Sequence, residues 1–182
     1  MKKAIITSLT NDRPGVLASI TASLFGSDCN LLQVSQTILG NEFAGIFIVS
    51  MPENLSEEKL RKTLETDLKG ENINIQVKPL SKSVSFEKPS NPFIITTFGP
   101  DKKGLVSAVT ATIAKNNSNI TNLRAVFLGG DNPKDNPMIY EINIPESENL
   151  KTLSKDLNKL GEKFSLEINI QHKNIFDKIT KI

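Results

Sequence analysis

The 182-residue chain holds one cysteine, one histidine, one tyrosine and no tryptophan. A single thiol, Cys29, closes no intrachain disulfide, and with His172 as the lone imidazole no Cys/His grouping has zinc-ligand spacing. No metal and no cofactor are expected. Cys29, Tyr140 and His172 offer little for a catalytic triad, and no D-x-D-x-[TV] phosphatase motif occurs, so no catalytic residue is expected. Cys29 reads as a small turn or core-edge residue and His172 as a surface residue near the last strand. Excess charge is absent too: 22 Lys+Arg against 20 Asp+Glu leave +2. Neither a helix-turn-helix nor a basic stripe is expected, which argues against direct contact with nucleic acid. No run of about 20 apolar residues exists to span a membrane. The apolar run after Lys2 and Lys3 is soon broken by Asn11, Asp12 and Arg13, unlike a signal peptide. A cytoplasmic location follows as the expectation. What remains, 38% apolar and 23% charged residues, suits a globule with a core.

The length allows one ordinary domain or two small ones, and an internal repeat decides for two. At an offset of 89, Thr7-Ser8-Leu9 falls on Thr96-Thr97-Phe98, Asp12 on Asp101 and Gly15 on Gly104. Val16-Leu17 falls on Leu105-Val106 and Asn30-Leu31 on Asn119-Ile120. Beyond Val34 four extra residues shift the offset to 93. Ile46-Phe47 then meets Ile139-Tyr140, Pro52 meets Pro145, and Ile73/Ile75/Val77 meet Leu166/Ile168/Ile170. Asp, Gly, Asn and Pro agree in register with the apolar positions, which chance patterning does not produce.

Each copy reads as strand, helix, strand, strand, helix, strand. Lys3 to Leu9 is β-branched and apolar; Val16, Leu17, Ile20 and Leu24 recur at helical spacing. Asn30 to Leu39 and Phe43 to Met51 are strands joined by a turn at Gly40-Asn41-Glu42. Leu60, Leu64 and Leu68 form a second helix, with Ser56 as its N-cap and Gly70 as its stop. The order is the α+β, ferredoxin-like βαββαβ arrangement: a four-stranded antiparallel sheet with both helices on one face. The expected organisation is a first unit over 1–80, a linker over 81–91, a second unit over 92–172 and a tail over 173–182 that forms a short amphipathic turn of helix. One unit with an open sheet face is marginal alone, so pairing through sheet edges or faces is expected.

The chemistry concentrates in the loop Thr10-Asn11-Asp12-Arg13-Pro14-Gly15 and its copy Gly99-Pro100-Asp101-Lys102-Lys103-Gly104. Pro14 suits the first helical position, and Gly15 permits close approach of the backbone. Free N–H groups at the helix start suit a carboxylate, and Asp12 beside them suits an ammonium group. A zwitterionic amino acid needs both. Asn30, opening the second strand, is expected at the same sheet end, where its amide could reach the same ligand. The alternatives are that Asp12 caps the helix, Gly15 serves packing and Asn30 closes a turn.

The segment LTNDRPGVLASITASLFGSDCNLLQVSQ resembles the signature of the ACT domain, a small-molecule-binding regulatory fold of amino-acid metabolism. Its copy FGPDKKGLVSAVTATIAKNNSNITNLRA is similar, with Lys103 in place of the proline. Two such units resemble the glycine-cleavage-system transcriptional repressor family. The resemblance implies ligand binding at Thr10, Asp12, Pro14, Gly15, Val16, Leu17, Asn30 and Leu31. In the second copy it implies Asp101, Gly104, Leu105, Val106, Asn119 and Ile120. It further implies a small amino acid such as glycine or serine as ligand, a homodimer, and a protein partner such as a transcriptional activator. Three or four charge-assisted hydrogen bonds, less the cost of immobilising the ligand, give a dissociation constant of roughly micromolar to millimolar. Two other readings stand beside this one. One is a fragment related to ACT-bearing enzymes such as phosphoserine phosphatase or formyltetrahydrofolate deformylase. The other is a ligand-free interaction module, in which the loop Gly129 to Pro137 is a partner contact or a tolerated insertion.

Overall fold

The computed structural model of the chain describes residues 1–80, 90–126 and 136–179. Most of the expected linker, most of the Gly129–Pro137 loop and the last three residues of the tail lie outside the described residues. The chain divides into two compact units, Met1–Val84 and Ser85–Ile182.

The first unit runs β1 (Lys2–Asn11), α1 (Val16–Gly26), β2 (Asn30–Leu39), β3 (Glu42–Met51), α2 (Glu57–Asp67) and β4 (Asn74–Pro79). The second runs β5 (Ser90–Phe98), α3 (Leu105–Lys115), β6 (Asn119–Ala125), β7 (Met138–Pro145), α4 (Leu150–Phe164) and β8 (Glu167–His172), followed by α5 (Lys173–Ile179). Ser90 and Asn91, expected in the linker, are the first residues of β5. The sheets are antiparallel, in orders β2-β3-β1-β4 and β6-β7-β5-β8. Both edge strands β2 and β6 carry a register shift at equivalent places, Leu31/Gln33 and Ile120/Asn122.

Period-two alternation puts Ala4, Ile6, Phe43, Phe47, Val49 and Met51 on one sheet face, where α1 adds Ile20 and Leu24 and α2 adds Leu60 and Leu64. The second core repeats this with Ile95, Tyr140, Val109, Ile113, Leu153 and Leu157. Ser56 caps α2 as expected, accepting from the Lys59 N–H at 3.2 Å. Gly70 does not stop that helix: α2 ends at Asp67, and Asn72 takes the left-handed conformation, φ 53°. Asparagine tolerates that region almost as glycine does.

The open sheet faces differ. In the first unit Leu9 and Ile46 are 51% and 48% exposed. In the second, Ile94 and Thr96 are buried, α5 packs against β5 and β8, and the Lys173 ammonium meets the Glu141 carboxylate at 2.5 Å. Asn122 donates to the same carboxylate at 2.9 Å. These two bonds, Asn122 first, hold Glu141 below the usual carboxylate range.

Candidate functional site

At the end of β1, Asn11 donates to the Glu42 carboxylate at 2.7 Å and the Asp12 N–H donates to the Asn41 carbonyl at 2.7 Å. The chain then turns through Arg13-Pro14-Gly15-Val16, with the Val16 N–H 3.4 Å from the Arg13 carbonyl. Pro14, expected at the first helical position, lies instead in this turn; α1 begins at Val16. Proline second and a positive-φ residue third is the type II pattern, and Gly15 has φ 97°. Among the described residues, a Cβ added to Gly15 would meet nothing within 4 Å. The glycine therefore serves the backbone angle and not close approach.

The loop is clamped from one side. The Thr10 hydroxyl, buried, donates to the Asn72 carbonyl at 3.2 Å. Arg13 folds onto Glu71, reaching its carboxylate at 2.9 Å and its carbonyl at 3.2 Å. Thr10 is thus committed within the fold, and the Val16 side chain lies in the core. Asp12, Pro14 and Gly15 are exposed and Leu17 is partly so. Among the described residues no side chain caps α1, so Asp12 is not its cap. Asp12 stands exposed in the chain three residues before Gly15, the residue at the helix start.

The second corner uses the same plan with other residues. Lys102 replaces Arg13 and donates to the Phe164 carbonyl at 3.1 Å. Gly104 has φ 87°, the Leu105 N–H lies 3.3 Å from the Lys102 carbonyl, and α3 has no side-chain cap. Asp101 is exposed, Leu105 is buried and Val106 is half-buried. Asn136, buried, donates to the Gly99 carbonyl at 3.4 Å, and Gly99 packs so closely on Leu166 that a Cβ would stand 2.3 Å from its Cδ2.

Asn30 does not join the corner of its own unit. It pairs with Ser50, which lies opposite Lys3, whereas the corner row is Asn11, Glu42 and Leu39. Eight residues of strand, about 26 Å, separate the two ends. The cause is topological: α1 carries the chain back, so β2 starts where β1 starts. Leu31 stands with Asn30 and is partly exposed. In the second unit Asn119 pairs with Asn143, opposite Pro92. Asn119 and Ile120 line a groove of about 440 Å³ between α3 and β6, with Ser107, Thr110 and Ala111.

Two features escaped the motif pattern. Gly15 to Leu39 contains one charged residue, Asp28, and every residue of β2 is exposed. Leu17, Phe25, Leu31, Val34 and Ile38 there form an exposed apolar surface along α1 and β2. The long gap between charges was its signal. Second, a basic stripe is present after all: Lys151, Lys155, Lys159 and Lys163 stand exposed at four-residue spacing on α4. Its signal is a spacing that net charge hides. Cys29 is buried, and that burial, with Asp28 adjacent, pushes its thiol up, the reverse of an activated nucleophile. Burial also pushes the Tyr140 hydroxyl up to about 12.

Residues 2–78 and 91–171 both match the family model of the ACT domain. The chain belongs to the ACT-domain family. A UPF0237 protein of Methanococcus maripaludis is 35% identical over 91 residues, covering 49% of this chain and 96% of its own. A UPF0237 protein of Methanopyrus kandleri is 35% identical over 78 residues, 42% of this chain and 84% of its own. Among solved structures, an unknown protein from Galdieria sulphuraria aligns with TM-score 0.75 at 23% identity, over 94% of this ACT tandem and 98% of that chain. A protein described as a candidate glycine cleavage system transcriptional repressor aligns with TM-score 0.71 at 17% identity, over 93% and 96%. At these identities the likeness is one of fold. Among the described residues no helix is long and apolar enough to cross a membrane.

Proposed function

We propose that this tandem ACT protein is a non-catalytic sensor of a small amino acid such as glycine or serine. It acts on transcription of glycine-cleavage or related genes through a protein partner such as an activator. One observation carries the reading. In both units the first helix starts uncapped behind a positive-φ glycine, next to an exposed aspartate, whereas Ser56 and Asn149 cap the second helices. Uncapped N–H groups and a neighbouring carboxylate match the two ends of a zwitterion. The fold shared with a candidate glycine cleavage repressor supports the metabolic assignment.

The exposed α1–β2 surface supports a homodimer. A long, uncharged edge strand without lysine or proline is one that natural proteins cover. Pairing β2 with β2 of a second copy about a two-fold axis would lay Asn30 of one copy beside Leu39 of the other, the end where that copy's Asp12 corner lies. Asn30 would then complete the site in trans. In a thermal-shift and calorimetric panel of the twenty amino acids, glycine or serine should raise the melting temperature, Asp12→Asn should diminish the rise, and Asp12→Asn with Asp101→Asn should abolish it. A panel with neither shift nor heat sinks the sensor reading. If the chain is nonetheless dimeric in solution, the ligand-free interaction module takes its place.

A further inference from the structure

The lysines of α4 stand on the outer face of the second unit, turned away from Leu153, Leu157 and Gly161. At 1.5 Å per residue they lie about 6 Å apart along a file of about 18 Å. No ion pair among the described residues includes Lys151, Lys155 or Lys159. Lys163 lies over the Phe164 ring at 5.5 Å. Like charges four residues apart weaken a helix. Lys151 also sits in the first turn, where no acidic residue answers the positive end of the dipole.

The equivalent helix of the first unit is arranged the opposite way. α2 has Glu57 and Glu58 in its first turn, Arg61 paired with Glu58 and Glu65, and Lys62 paired with Glu58. The fold therefore does not require a file of lysines at this place, of which Lys159 is answered in part by the Asp156 carboxylate. Grooves flank the file on both sides. One of about 530 Å³ is lined by Lys151, Lys155, Lys159 and Leu150. The other, about 300 Å³, lies between α3 and α4 and is lined by Lys115, Lys159 and Lys163 together with Asp156, Thr112 and Leu160.

We propose that the outer face of α4 docks an acidic helix of a partner protein. Carboxylates four residues apart on a helix rise by the same roughly 6 Å per step as the lysines, and both rows are inclined to their axes, so a second helix crossing α4 obliquely brings neighbouring lysines such as Lys155 and Lys159 to carboxylates. Glu162 stands within the file and Asp156 on its flank, bonded to Asn116 at 3.3 Å and Lys115 at 3.5 Å. A continuous run of phosphates would meet Glu162 as a repulsive group, whereas a helix can answer it with a basic residue. α4 also presents neither arginine nor an exposed aromatic ring to bases. A protein helix is thus the occupant that the charge pattern favours. This assignment is independent of the amino-acid site.

The probe is an alanine-based helix of about twenty residues with glutamate at every fourth position, alongside its glutamine counterpart. Fluorescence anisotropy with the full chain should show binding of the glutamate helix that weakens steeply between about 50 and 300 mM salt, and little binding of the glutamine helix. Lys155→Glu/Lys159→Glu should lower the affinity at least tenfold, and Lys59→Glu/Lys62→Glu on α2 should leave it unchanged. Circular dichroism checks both folds, and Lys155→Gln/Lys159→Gln replaces the reversal if it misfolds. Lack of binding at low salt, equal loss from the α2 variant, or tighter binding of a DNA duplex than of the glutamate helix each overturns the proposal.

Discussion

The two units thread their strands in the same order but finish their surfaces differently. Unit one leaves Leu9 and Ile46 open on its sheet face and covers α1 and β2 with uncharged residues. Unit two buries Ile94 and Thr96, lays α5 against β5 and β8, and carries Lys115, Arg124 and the α4 lysines on its helices and edge strand. Position 45 makes the same point inside the core. Gly45 lies opposite Ser8, and a Cβ there would stand 2.8 Å from the Phe47 ring. Its counterpart Met138 lies opposite Thr97, and its sulfur accepts from the Tyr140 hydroxyl at 3.3 Å. The duplication preserved a topology and a corner, while each core was repacked around different volumes and each surface took a different charge pattern.

Exchanging these residues tests how far the units have diverged. Met138→Gly removes a buried side chain and the Tyr140 partner and should cost about 3–5 kcal/mol in chemical denaturation. The reverse exchange, Gly45→Met, should cost about 1–3 kcal/mol or more through overpacking of Phe43 and Phe47. If either is neutral, the cores are more plastic than their contacts imply. At the corners, Gly15→Ala and Gly104→Ala should each cost about 1–2 kcal/mol by thermal melting, because φ near 90° strains a Cβ. Similar losses would show that the corners are still equivalent; a much smaller loss at Gly104 would mark relaxation of the second.

The buried hydroxyls of Ser8 and Thr97, at equivalent positions, have no hydrogen-bond partner among the described residues. Ser8→Ala and Thr97→Val should therefore be neutral or stabilising by up to about 1 kcal/mol, whereas a paired hydroxyl would lose stability on removal. Smaller still is an effect confined to unit two. Glu141 is held below its ordinary value, so the stability it contributes is present above the ordinary carboxylate range and lost as pH falls through the lowered one. Glu141→Gln should flatten the acid limb of the stability profile. Ile48, its counterpart in unit one, has no such group to lose. The smallest effect belongs to α4: Lys151→Glu should stabilise by a few tenths of a kcal/mol, since it answers the dipole and relieves Lys155.

Residues carried by periodicity were legible. Val16, Ile20 and Leu24 of the α1 stripe, the Leu60–Leu64 spacing and the Ser56 cap follow from local rules and recur in the structure, whereas Leu17 of that stripe is exposed. Gly70 misled because glycine is the commoner left-handed residue, although Asn72 serves nearby. Pro14 misled because two local rules compete for it; Arg-Pro-Gly-Val also spells a type II turn, and the positive φ of Gly15 decides for the turn. The clamp of Arg13 on Glu71 joins residues 58 positions apart and has no local signature.

From its residues alone the chain is committed to two copies of one strand–helix order, because apolar periodicity, caps and turns act over a few neighbours. Tertiary folding decided which residues meet. It sent Asn30 to the far sheet end, spent Thr10 and Arg13 on the turn after α2, and left Asp12 exposed and α1 without a side-chain cap among the described residues. Those outcomes depend on chain direction and on contacts between distant segments, for which free energy is settled only when the whole unit closes.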